Sequence, residues 1–183
     1  SSSFGQSQKV TPLQMVTAMA TIVNGGYLGT PHLVKQVIDS NGNIVSVADA
    51  GIKRQVISED TSKQMRYALE KVVTEGGGKN ASVDGYRIGG KTGTAEKLDS
   101  SDSSKRVVSF CGFAPADDPE VACIIVVDEP RPGSYGSTVA APIFKAVMED
   151  VLPYLGVEKT GDTTQSNDEI SVPNVIGKPV EEA

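Results

Sequence analysis

Apolar residues recur at helical spacing early in the chain. Leu13, Val16, Met19, Ala20 and Val23 share one stripe, Thr11 is a good N-cap, Pro12 suits the first helical position, and Asn24-Gly25-Gly26 stops the run. A helix with one core-facing side is expected there. Pro31 to Ile38 alternates towards a strand, Asn41-Gly42 is a strong hairpin signal, and Ile44 to Val47 returns, which predicts a two-stranded ribbon. Ser58 can cap a second helix with Glu59 and Asp60 in its first turn, Met65, Leu69, Val72 and Val73 inside, and Gly76-Gly77-Gly78 as its stop.

From Tyr86 the pattern turns to sheet. Strands are expected over Arg87 to Glu96, Val107 to Phe113 and Val121 to Val127, the last rich in β-branched residues, and their succession suggests an antiparallel meander. Leu98 to Arg106 is polar and serine-rich and reads as the mobile connection, whereas Ala114 to Pro119 is a compact turn whose prolines stop the flanking strands. Ser137 opens a final helix in which Val139, Ile143, Val147, Val151 and Leu155 recur about every four residues, with Pro142 and Pro153 tolerable only near its ends or at kinks. That helix is expected to cover one face of the sheet. Lys159 to Glu169 lacks any apolar period and reads as a linker to a second unit. The fold class is therefore α+β, an antiparallel sheet covered by helices.

Composition narrows the chemistry. The 183 residues with 38% apolar content allow one domain with a core that is not generous. A net charge of −6 without Lys/Arg clusters argues against a nucleic-acid or anionic-membrane surface. No apolar run approaches the roughly 18 residues of a membrane span, so any anchor is expected upstream. Two cysteines and the single His32 offer no metal constellation, no cofactor is implied, and His32 on an edge-like strand is assigned no role. Cys111 and Cys123 are near-symmetric about Asp117, so a simple hairpin would set them opposite each other. A cross-strand bridge and two buried free thiols are both open, the thiols favoured because such a bridge is strained in sheets.

The chemically suggestive stretch is Gly89-Gly90-Lys91-Thr92-Gly93-Thr94-Ala95-Glu96. A cation on an extended backbone flanked by glycines lets a substrate approach the main chain closely. Alone, Gly-Lys-Thr-Gly reads first as an ordinary strand-edge lysine beside a turn, and it fails the P-loop spacing. A Lys-Thr-Gly triplet has two companions in serine acyl-transfer enzymes, Ser-x-x-Lys and a Ser-x-Asn type triplet, and neither occurs among the 183 residues. The nucleophile and its base lie upstream or do not exist. The acidic loop from Asp99 to Asp102 reads as solvated surface, and Glu96 is ambiguous in the same way.

The order Phe4-Gly5-Gln6, Val10-Thr11-Pro12-Leu13-Gln14, Asn24-Gly25-Gly26, Gly90-Lys91-Thr92-Gly93-Thr94-Ala95, Ser109-Phe110-Cys111-Gly112-Phe113-Ala114-Pro115 and Asp128-Glu129-Pro130 resembles the C-terminal half of class B penicillin-binding protein transpeptidase domains. The run Gly76-Gly77-Gly78 departs from a Gly-Thr-Gly often found before this strand. Ser171 to Ala183 resembles the opening of a PASTA repeat. The resemblance implies the penicillin-binding protein and serine β-lactamase fold, incomplete here, with residues 1–156 as transpeptidase, 157–169 as linker and 170–183 as the start of the PASTA unit. It implies acyl transfer from D-alanyl-D-alanine stem peptides through a serine acyl-enzyme, with β-lactams as inhibitors and an N-terminal segment of the same protein as partner. Lys91 and Thr94 would be catalytic, and Lys91, Thr92, Gly93 and Thr94 would bind substrate, Thr94 through its hydroxyl and its main-chain N–H as oxyanion donor. The setting implied is the extracytoplasmic face of the membrane of a Gram-positive-type bacterium, in division or sporulation. A D,D-carboxypeptidase or β-lactamase relative, and a non-catalytic wall-binding module on the same scaffold, are the alternatives.

Overall fold

The computed structural model describes residues 9–47, 51–97, 102 and 104–160. Phe4-Gly5-Gln6, Asp99, the linker beyond residue 160 and the PASTA-like tail lie outside them.

Helix α1 (Pro12–Val23) starts at a capping box in which the Thr11 hydroxyl accepts from the Gln14 amide at 3.2 Å and the Gln14 side chain accepts from the Thr11 amide at 2.9 Å. Its buried positions are Met19, Thr21 and Val23, while Leu13 is 57% exposed, so the core stripe is narrower than the apolar pattern. β1 (Tyr27–Leu28) pairs with β4 (Arg54–Gln55), and between them β2 (Gln36–Ile38) and β3 (Ile44–Val47) form the expected hairpin. The first hairpin strand begins at Gln36 instead of Pro31, because the segment before it finds no partner strand. Asp39 closes the turn by accepting from the amides of Asn41 at 2.8 Å and Asn43 at 2.9 Å, with Gly42 at φ 84°.

Helix α2 (Glu59–Thr74) begins where the Ser58 hydroxyl accepts from the Thr61 amide at 3.1 Å. It buries Ser62, Leu69 and Val73, and Met65 lies off the core. The buried Ser62 hydroxyl donates to the Ile22 carbonyl at 2.6 Å and accepts from the Gly25 amide at 3.0 Å, fastening α2 to the end of α1.

The remaining strands form the expected meander: β5 (Gly89–Glu96), β6 (Arg106–Ala114) and β7 (Val121–Asp128), antiparallel in that order. Because side chains alternate along β6, Phe110 and Ala114 face one side and Cys111 and Phe113 the other. Helix α3 (Ala140–Tyr154) covers the first side with Ala140, Ala141, Phe144, Met148 and Leu152; α1 and α2 cover the second with Met19, Val23 and Leu69. The α3 stripe is one residue out of step with the expected Val139, Ile143, Val147, Val151 and Leu155, and Ile143 is 43% exposed. The two small alanines at the helix start, and not the β-branched positions beside them, are what fit against the sheet. The Phe110 and Phe144 rings meet at 4.8 Å and 58°, a tilted pair.

The register sets Cys111 opposite Ile124 and Cys123 opposite Gly112, so the cysteines are not the facing pair a symmetric hairpin would give. They belong to opposite faces of the sheet, and both are free thiols. Burial pushes the Cys111 thiol up to about 12.

Candidate active site

Lys91, Thr92, Gly93 and Thr94 lie in the middle of β5, paired in order with Cys111, Phe110, Ser109 and Val108 of β6. Among the described residues, β5 has a strand on one side only. The Lys97 amide donates to the Lys105 carbonyl at 3.0 Å one step past the strand, so the odd-numbered residues of β5 bond inward to β6. Thr92 and Thr94 therefore turn their main-chain N–H and C=O groups to the open edge. In keeping with this, the Thr92 carbonyl accepts from the Lys91 ammonium at 2.9 Å.

By the same alternation Lys91 and Gly93 stand on the α1/α2 side of the sheet and Thr92 and Thr94 on the α3 side. Lys91 and Thr94 are exposed and Thr92 and Gly93 half-buried. The glycines before the lysine are required by packing: a Cβ on Gly89 would lie 2.3 Å from the Phe113 ring, and one on Gly90 2.6 Å from the Phe110 ring. At Gly93 the nearest atom to an added Cβ is the Ser109 hydroxyl, at 2.5 Å.

Two features fix the strand from either end. Ahead of it, the Arg87 guanidinium forks onto Glu70 of α2 with both contacts at 2.7 Å, and Asp117 lies 3.3 Å away. At the far end the Lys97 ammonium sits 2.8 Å from Asp128 and 2.7 Å from Glu129, and Glu129 also meets Lys105 at 2.9 Å. The hydrogen bonds that Lys97 donates to Asp128 and then to Glu129 raise its pKa, and those that Glu129 accepts from Lys97 and then Lys105 lower its own. Glu96 is exposed, with Arg106 at 3.3 Å. His32 is exposed near the Thr30 carbonyl. Among the described residues no group of three His, Cys, Asp or Glu side chains converges as a metal site.

The structure adds a residue that the sequence reading did not single out. Gly136, in the segment between β7 and α3, is buried against β5 and donates its amide to the Thr94 hydroxyl at 3.2 Å. The signal for it is the pair of glycines, Gly133 and Gly136, in an otherwise unpatterned run after the last strand.

Residues 1–149 match the family model described as the penicillin binding protein transpeptidase domain. The chain belongs to this family. Stage V sporulation protein D of Bacillus subtilis is 49% identical to it, over 97% of this chain and 29% of its own length. Peptidoglycan D,D-transpeptidase FtsI of Escherichia coli is 33% identical, over 93% of this chain and 28% of its own length. The chain thus spans less than a third of these two curated relatives. Among solved structures, the D,D-transpeptidase domain of a peptidoglycan glycosyltransferase from Eggerthella lenta superposes with a TM-score of 0.68 at 31% identity, over 80% of this chain and 33% of its own. Penicillin-binding protein 3 of Mycobacterium tuberculosis, solved with ampicillin, superposes with a TM-score of 0.76 at 27% identity, over 88% of this chain and 38% of its own. The α+β fragment described above is a piece of the transpeptidase domain fold, of the class B kind.

Proposed function

We propose that this chain supplies the Lys-Thr-Gly wall of a peptidoglycan D,D-transpeptidase, acting with a serine nucleophile from a segment of the same protein outside these residues. The carrying observation is the edge position of β5, where Lys91 and the outward main-chain groups of Thr92 and Thr94 share one open border. In the reaction the serine hydroxyl attacks the D-alanyl-D-alanine carbonyl, the peptide C–N bond breaks and terminal D-alanine leaves. An amine of a neighbouring stem then takes the acyl group and the serine recovers its proton. The donor stem adds to β5 as a further strand on the outward main-chain groups of Thr92 and Thr94, and Gly93, whose own groups bond inward, offers it a face without a side chain. The Lys91 ammonium and the Thr92 and Thr94 hydroxyls meet the carboxylate, and the Thr94 N–H stabilises the oxyanion. β-Lactams mimic the donor, in keeping with the ampicillin held by the mycobacterial relative.

The rest of the organisation is part of the same proposal. Residues 1–156 complete the transpeptidase domain, 157–169 link it to a PASTA repeat that opens at 170–183, and an anchor upstream holds the enzyme on the extracytoplasmic face of a Gram-positive-type membrane.

Labelled penicillin tests the reading on the complete protein. A stoichiometric covalent adduct is expected. Thr94→Pro, which deletes the N–H, should slow its formation by about 10²–10³ while Thr94→Ser keeps most of the rate. Proline also disturbs a strand, so the comparison requires an unchanged thermal midpoint. A folded protein that penicillin does not label would instead be a wall-binding module on this scaffold.

A further inference from the structure

We propose that Gly136 is a positioning residue that aims the Thr94 hydroxyl at the ligand carboxylate. The inference rests on the acyl-transfer reading above. A hydroxyl has one donor hydrogen and two acceptor lone pairs. The Gly136 amide fills one acceptor position of Thr94 at 3.2 Å from beneath the strand. The hydroxyl hydrogen is left to point away from that amide, towards the exposed side of Thr94, which is the polarity a carboxylate requires.

A Cβ on Gly136 would lie 2.4 Å from the Ser109 carbonyl oxygen and 2.5 Å from that of Gly93. Both are backbone atoms of the β5–β6 ladder and cannot swing aside as a side chain would. Space alone, not conformation, demands glycine here.

Gly136 is also tied to helix α3. Its carbonyl accepts from the Ala140 amide at 3.0 Å and the Ala141 amide at 2.9 Å, the first turn of α3, whose face lies against the sheet core. Its neighbours are tied as well: the Asn80 side chain donates to the Ser137 carbonyl at 2.7 Å, and the Tyr135 amide donates to the Thr138 hydroxyl at 3.1 Å. Gly136 is thus a fixed post joining helix α3 to the Lys-Thr-Gly strand. Its amide is part of the frame, and the hydroxyl it holds is the part that meets ligand.

The test compares acylation of the complete protein by benzylpenicillin and by its methyl ester, which lacks the charged carboxylate. In Gly136→Ala, acylation by the acid should slow by about tenfold or more, the scale of a lost charge-assisted hydrogen bond, and acylation by the ester by less than about twofold. Thr94→Val should lower the acid-to-ester ratio to the same extent, and adding Gly136→Ala to it should lower the ratio no further. Should the alanine variant fail to fold, an ester in place of the 135–136 peptide bond deletes the N–H without adding a Cβ and must give the same loss of ratio. Equal slowing of both compounds, or an ester-linked protein with the parent ratio, would overturn the positioning role alone. A parent that neither compound acylates would overturn the acyl-transfer reading and this inference with it.

Discussion

Gly90 and Gly93 flank the same lysine motif, yet alanine at the two positions should fail in opposite ways. At Gly90 the new methyl would lie 2.6 Å from Cζ of Phe110 and 2.9 Å from the Cys111 carbonyl. Phe110 is fully buried and its ring is held against Phe144 at 4.8 Å, so neither obstacle can retreat. Overpacking of that kind costs about 1–3 kcal/mol, and the lower backbone entropy of alanine returns about 0.5–1 kcal/mol, which leaves a net loss of about 0–2.5 kcal/mol, centred a little above 1. At Gly93 the methyl meets only the Ser109 hydroxyl at 2.5 Å, and the next atom is 3.8 Å away. One rotation about the Ser109 Cα–Cβ bond clears it, and stability should stay within about 0.5 kcal/mol of the parent. The methyl would project on the face that carries Lys91, however, and displace the donor stem. Urea denaturation and the second-order rate of penicillin acylation, measured on the complete protein, separate the two. Gly90→Ala should lower the urea midpoint and acylate near the parent rate where folded. Gly93→Ala should keep the midpoint and acylate about tenfold slower or worse. Equal losses of stability in both variants would refute the steric argument, and a Gly93→Ala protein with the parent rate would remove that face from the cleft.

Lys91→Ala should slow acylation by at least about tenfold with little change in melting temperature, because the ammonium is exposed and, among the described residues, bonded only to the neighbouring threonine. An equal loss of folding and rate would mark a structural lysine. Glu70→Gln removes the carboxylate from a fork in which Glu70 is 14% and Arg87 40% exposed, and chemical denaturation should show a loss of about 1 kcal/mol. The Cys111 thiol, raised from 9.0 to about 12 by burial, keeps its proton when folded and loses it when unfolded. Stability should therefore be complete below about pH 9 and fall as pH rises towards 12, by up to about 1.4 kcal/mol per pH unit, and Cys111→Ala should flatten that limb in urea titrations.

Local chemistry was readable where one or two residues decide it. Thr11 with Pro12, Asn41-Gly42 and Ser58 marked two helix starts and a turn, and the β-branched runs marked the meander. What depended on distant partners was not. The pairing of Tyr27 and Leu28 with Arg54 and Gln55 joins two-residue strands too short to show a period. The α3 stripe was misplaced by one residue because valines and isoleucines outweighed Ala140 and Ala141, whose value lies in close approach to the sheet. The cysteines looked symmetric, yet a register offset of one residue puts them on opposite faces. The lysine motif itself was legible at once. Gly136 was not, since what it requires is set by carbonyls of Gly93 and Ser109 far away in sequence.

The open border of β5 has a consequence for solubility. An unpaired strand edge is a template for any extended chain, including another copy of the same protein, and such edges are commonly blunted by lysine. Here the Lys91 ammonium lies on the outward carbonyl of Thr92 at 2.9 Å, the acceptor an incoming strand would use. Self-association must therefore displace a cation from its hydrogen bond, whereas a chain ending in a carboxylate offers that cation a better partner. One side chain thus makes the edge costlier for a neutral strand to join than for an anionic one.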